Sequence, residues 1–204
     1  MYCTTCGTKI DDGAKFCGSC GITVEPEKSV AKVEYFSISF GRLILLTALT
    51  GGLYLLYWFY KNWQAVKKAE GTNISPFWRA VFSIFFCYDL FKRVLRSAKS
   101  EGYTKSYSAG WLTTAYIALL FIENGYYKTN VSDIGDPTSW VFMLLVLLFL
   151  APLPLLPIQR AINFTNKKMG HERTTIFTTG AMVLIVIGII LLTLIVLGAY
   201  GSSS

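Results

Sequence analysis

Three long stretches of the chain carry no charge. Residues 43–60, 140–158 and 176–200 run 18, 19 and 25 positions without an Asp, Glu, Lys or Arg. At 1.5 Å of rise per residue, roughly 20 apolar residues cross the hydrocarbon core of a bilayer, so each stretch predicts a membrane-spanning helix. Two further segments are apolar but interrupted. Residues 77–95 hold only nine uncharged positions between Arg79 and Asp89, and residues 109–127 are apolar until Glu123 and Asn124. The pattern predicts an all-α transmembrane helical bundle of about five spans, at 40–60, 77–95, 109–127, 140–158 and 176–200. Four are possible if 77–95 is re-entrant or lies in the interface.

Punctuation within the stretches adds detail. Gly51 and Gly52 interrupt the first, where they bend a helix or admit a close neighbour. Tyr54, Tyr57, Trp58, Phe59 and Tyr60 crowd its end, followed by Lys61 and Trp63. Rings with a polar tip favour the bilayer interface and lysine snorkels beyond them; a ligand cage is the alternative reading. Pro152, Pro154 and Pro157 remove backbone donors and are expected to unwind or bend the end of 140–158. The first residues are polar and show no leader pattern, so the first membrane helix is expected to serve as the targeting signal.

Composition agrees. Of 204 residues 53% are hydrophobic and 15% charged, against roughly a quarter charged in soluble domains; mean hydropathy is +0.46. Residues 35–204 hold 15 Lys or Arg against seven Asp or Glu, a surplus expected to face anionic lipid on the cytoplasmic side. Lys92, Arg93, Arg96 and Lys99 cluster on one helical side and read as an anionic-lipid anchor. Asp89 and Arg93, four apart, are placed to pair. The basic residues 159–175 read as a cytoplasmic loop and 126–139 as an outside loop. Five spans put Lys61, Lys67 and Lys68 on the wrong side. If 77–95 does not span, those lysines move inside, but the N-terminus is then forced outside unless the first segment is itself a re-entrant hairpin broken at Gly51-Gly52. The five-span arrangement with a cytoplasmic N-terminus is the expectation adopted.

Ahead of this lies a different chemistry. Cys3, Cys6, Cys17 and Cys20 read C-x2-C-x10-C-x2-C, each pair followed by glycine. Two thiolates two residues apart on a turn present both sulfurs to one tetrahedral ion, and the glycine lets the backbone fold around them. Four sulfurs close the site against substrate, which suits structural Zn2+; an iron centre uses the same ligands. Disulfides would need an oxidising compartment. The stretch resembles the short zinc ribbons at the N-termini of many bacterial proteins, in which a phenylalanine commonly precedes the third cysteine, as Phe16 does. The expected organisation is a zinc ribbon (β-knuckle) over 1–22, a tether over 23–39 and a transmembrane domain over 40–204. Residues 1–34 carry four lysines against five acids, and the thiolate site adds negative charge. Phosphate binding wants a basic face, so nucleic acid is not an expected partner.

A second resemblance rests on GGLYLLYWFYKNW and the following ISPFWRAVFSIFFCYDLFKR. These are similar to a G-x-Y-x-x-Y-W-F-Y-K stretch and a P-F-W-R segment in an uncharacterised family of bacterial multi-pass inner-membrane proteins, some fused to a zinc ribbon. The resemblance implies an inner-membrane location and no catalytic residues.

Catalytic constellations are thin. His171 is the single histidine and sits in a basic segment, where it reads as a solvated residue. Cys87 reads as a small core residue, and there is no phosphate-binding G-x-x-x-x-G-K-[ST] loop. The expected function is a non-enzymatic adaptor or scaffold whose cytoplasmic ribbon contacts a protein partner or another subunit. The alternative is a small transporter or channel with Asp89 and Glu123 in a polar path.

Overall fold

The computed structural model describes residues 6–9, 16–22, 32–128, 137–171 and 179–201. The chain divides into two compact units, residues 1–31 and 32–204. Among the described residues the only β features are single bridge positions at Lys9 and Phe16, and everything regular beyond them is helical. The second unit holds α1 (Phe40–Leu49), α2 (Leu53–Glu70), α3 (Pro76–Val81), α4 (Ser83–Ser100), α5 (Ala109–Tyr127), α6 (Pro137–Leu150), α7 (Leu156–Lys168) and α8 (Thr179–Gly201).

The segment expected as one span at 40–60 is two helices. Gly51 and Gly52 take φ of +56° and +86°, a conformation that costs glycine little and other residues much. Thr50 then joins the two helix ends. Its hydroxyl donates to the Leu46 carbonyl at 2.7 Å and accepts from the Tyr54 amide at 2.9 Å. The chain reverses here. Just before α1, the Phe36 amide donates to Asn62 Oδ1 of α2 at 3.1 Å, and the Phe36 ring stands edge-on to Tyr57 at 5.7 Å. The start of α1 is thus level with the middle of α2, so α1 and α2 form a hairpin whose turn is Thr50–Gly52.

Residues 77–95 are likewise not one helix. α3 ends at Val81, and α4 continues past 95 to Ser100. Ser83, Cys87, Leu90, Phe91, Val94, Ser97 and Ala98 of α4 are buried, at the 3–4 residue spacing of a one-sided helix, while Lys92, Arg96 and Lys99 are exposed. α2, α3 and α4 are tied by charge. Arg93 reaches Asp89 at 3.0 Å and also pairs with Glu70, and Arg79 meets Asp89 at 3.4 Å. The Arg79 guanidinium lies over the Trp63 ring, 4.4 Å from its centroid. Burial works against the Arg93 charge, but hydrogen bonds to Glu70 and Asp89 outweigh it and raise its pKa above the ordinary value.

Among the described residues, two helices are long and apolar enough to cross a membrane, Pro137–Lys168 and Thr179–Gly198. The first is α6 and α7 with a short 3-10 turn at Leu153–Leu155 between them, so the prolines change the local winding without ending the rod. Residues 159–168, read above as loop, are therefore helical. The second is α8, which shows Val183, Val186, Ile190, Leu194 and Leu197 to its surroundings. A helix apolar on all sides and this exposed needs a non-aqueous neighbour. α8 approaches the hairpin at both ends of α2's first turns: Gly188 and Leu192 lie against Thr50 and Gly51, and Gly180 lies against the Tyr57 ring.

The last part of the expected tether belongs to the core. Val33, Tyr35, Ser37 and Ile38 are buried in an extended run without a β partner. Amide side chains take the partner's place. Asn163 Nδ2 of α7 donates to the Ile38 carbonyl at 3.0 Å, and Asn166 Nδ2 donates to the Tyr35 carbonyl. Asn163 Oδ1 accepts from Ser37 Oγ at 2.8 Å and from Gln159 Nε2 at 2.8 Å; Gln159 Oε1 accepts from Trp58 Nε1 at 2.6 Å. Residues 159, 163 and 166 fall on one face of α7 by helical spacing, and so read the extended backbone like rungs. Buried backbone polar groups must be paired, and here three side chains do it.

Candidate metal centre

The knuckle geometry follows from glycine. Gly7, after Cys6, has φ +71°, and Gly21, after Cys20, has φ +68°. Around the second knuckle the Gly21 amide donates to the Cys17 carbonyl at 2.9 Å and the Cys17 amide to the Ile22 carbonyl at 2.9 Å. These turns bring three sulfurs together. The Sγ atoms of Cys6, Cys17 and Cys20 all lie within 4.8 Å of one another, and Cys6 to Cys17 is 3.5 Å. Thiolates 2.3 Å from one tetrahedral zinc sit about 3.8 Å apart, so the three fit a shared ion. Thr8 Oγ1 lies 3.4 Å from the Cys6 sulfur, where it can orient the ligand. Cys17 is buried while Cys6 and Cys20 are exposed. Cys3, the remaining expected ligand, lies outside the described residues. The donor set fits a structural zinc ion; bound there, zinc supplies cross-linking of the two knuckles. Among the described residues this is the only such gathering of three or more metal-ligating side chains.

The other singled-out residues are scattered. Asp89 is spent on Arg79 and Arg93. Glu123, at 6% exposure, stands beside Gly52, where a Cβ would meet its Oε1 at 3.7 Å. The two carboxylates expected to share a polar path therefore have different surroundings, one ion-paired and one not. His171 is half-exposed, and its Nδ1 is 3.3 Å from Glu34 Oε1, so it is paired and not merely solvated. Cys87 is buried, its Sγ 3.5 Å from the Ile84 carbonyl. A basic cleft of about 1140 Å³ borders the C-terminal half of α2, with Lys32, Lys61, Lys67, Lys68 and His171 among its walls and Glu34 the acid between them. Of the basic cluster on α4, Arg93 is committed to carboxylates, leaving Lys92, Arg96 and Lys99 exposed.

Three thiolates gathered on glycine-turned knuckles, ahead of a mainly helical unit with two membrane-length helices, define a zinc-ribbon-bearing helical protein. Comparison with known families agrees at the N-terminus: residues 2–24 match the zinc-ribbon domain. No curated protein and no solved structure matches the chain.

Proposed function

We propose that the chain is a multi-pass protein of the bacterial inner membrane that acts as a non-enzymatic adaptor, its zinc ribbon contacting a protein partner or another subunit in the cytoplasm. Three segments cross in this reading: α5, the α6–α7 rod and α8. The α1–α2 hairpin enters from the cytoplasmic side and returns to it, its α1 arm of ten residues reaching about 15 Å, half the apolar core. The arrangement replaces five spans with three and a re-entrant hairpin, and it keeps the N-terminus cytoplasmic.

One observation carries it. Among the described residues, every Lys and Arg of the helical unit from Tyr35 onward except Lys128 falls on a segment bordering the end where the hairpin begins and finishes. Lys61, Lys67 and Lys68, misplaced by an uninterrupted first span, join Arg160, Lys167 and Lys168 there, as the positive-inside bias asks. The cytoplasmic compartment also keeps thiolates reduced and able to hold zinc. Exposed Phe77, Trp78 and Phe85 beside Lys92, Arg96 and Lys99 support an interfacial position for α3 and α4 on anionic lipid. The second reading, a small transporter, draws support from Glu123 at a broken helix but none from the ion-paired Asp89.

Two experiments test the proposal. In intact cells, an impermeant maleimide read by peptide mapping is expected to modify a Lys128→Cys variant. It should modify Lys68→Cys only after permeabilisation. Labelling of position 68 from outside would overturn the hairpin topology. Converting Cys6 and Cys17 together to Ser is expected to take bound zinc from about one ion per chain to almost none. The same variant should lose partner crosslinks in cells yet resist carbonate extraction like the wild type. Crosslinks that survive the loss of zinc would sink the adaptor reading.

A further inference from the structure

Glu123 has no part in the ribbon, in the charge ties of α2–α4 or in the amide rungs. The residue is nonetheless only 6% exposed, and its Oε1 faces the turn of the hairpin at Gly52. A carboxylate beside a helix start ordinarily gains amide donors. Here the donors are already spent. The Gly51 amide bonds Ala48, the Gly52 amide bonds Thr47, the Leu53 amide bonds Thr50 and the Leu55 amide bonds Gly52; the Tyr54 amide bonds the Thr50 hydroxyl. Gly188 and Leu192 of α8 press on Thr50 and Gly51 of the same turn.

Among the described residues no cation pairs with Glu123: Lys128, five positions on, caps the end of α5 and is exposed. α6 has no ionisable side chain, α8 has none before Tyr200, and α1 has only Arg42 in its first turn, away from the hairpin turn. The phenols of the elements that meet here are Tyr116, two turns back on α5, Tyr126, one turn on, and Tyr54, in the first turn of α2. Among the described residues nothing pairs with the Glu123 carboxyl. An isolated buried carboxylate is costly, and such a group takes a proton instead.

The geometry points to Glu123 as a proton-binding site: a carboxylic acid held neutral between α5 and the hairpin turn, and therefore a target for apolar carbodiimides. It takes one proton, and the chain's own helices provide the shelter. The inference thus holds in detergent as in a bilayer, and does not depend on the membrane topology above. In the diagnostic reaction the carboxyl proton passes to one carbodiimide nitrogen while the oxygen adds to the central carbon. An oxygen-to-nitrogen acyl shift then leaves a stable N-acylurea, so the whole reagent is added and nothing departs.

The full-length protein in detergent, treated at neutral pH with dicyclohexylcarbodiimide, is expected to gain one adduct, mapped to Glu123. Exposed Glu34 stays unmodified, and Glu123→Gln gains none. The Gln variant copies the neutral acid, so its melting temperature should stay at the wild-type value and its lack of an adduct cannot be blamed on misfolding. Should the reagent fail to react, infrared difference spectra of wild type against Glu123→Gln decide the matter without needing access. A protonated-carboxyl C=O band at neutral pH upholds the assignment. Carboxylate bands in its place, or adducts spread over the acidic residues with Glu123 no faster than Glu34, overturn it.

Discussion

Replacing Gly188 with alanine is expected to prise α8 from the hairpin. A Cβ at this position would lie 2.3 Å from Thr50 Cα, 2.8 Å from its Cβ and 2.9 Å from its carbonyl carbon. No flexible side chain tip is in the way; the obstacle is backbone, and that backbone is fixed by the Thr50 hydroxyl bonds to both helices. One of the two backbones must move. Overpacking of this kind costs about 3 kcal/mol, a large share of a typical domain's stability. Thermal melting followed by tryptophan fluorescence checks it, with Gly198→Ala as the control, since nothing lies within 4 Å of a Cβ there. If the two variants melt together, α8 does not seat on the turn as described.

Asn163→Leu should be nearly as damaging, for the opposite reason. Leucine has similar size but no polar atoms, so the change leaves Ser37 Oγ, Gln159 Nε2 and the Ile38 carbonyl without their present partner. Each orphaned buried group costs roughly 1–3 kcal/mol. Gln159 retains a longer contact to the Phe36 carbonyl at 3.4 Å, so a total of about 3 kcal/mol is expected. Hydrogen exchange at Phe36–Ile38 should quicken in step with the lost stability. Asn124→Leu, on an exposed residue that bonds only within its own helix, should be close to neutral. An Asn163→Leu protein as stable as that control would show the rungs to be decorative.

The metal chemistry was legible because it is local. Four cysteines and their glycines declare a tetrahedral site over about twenty residues, and the described part of that site has the expected turns at Gly7 and Gly21. Hydropathy was less informative, because it registers the absence of charge and not the direction of the chain. Residues 43–60 are uncharged whether they cross or turn back. The reversal depends on two successive glycines at positive φ and on Thr50, whose hydroxyl both gives and accepts at the turn. The misplaced lysines 61, 67 and 68 were the available clue. The amide rungs were hidden for another reason. Gln159, Asn163 and Asn166 look like ordinary solvated polar residues beside Arg160 and Lys167, and only the extended backbone of residues 35–38, far away in sequence, gives them a purpose. Their spacing of four and three was the signal that pattern reading passed over.

The rungs also determine how the N-terminal segment answers force. A pull on the chain at Lys32 acts along the extended run, and so loads the contacts at Tyr35, Phe36, Ser37 and Ile38 side by side rather than one after another. The strain passes into α7 through Asn163 and Asn166 and into α2 through Asn62. The hairpin turn, further along the chain, is left slack. Tension that would unzip a hairpin from its end here meets an anchor that has to be sheared off whole.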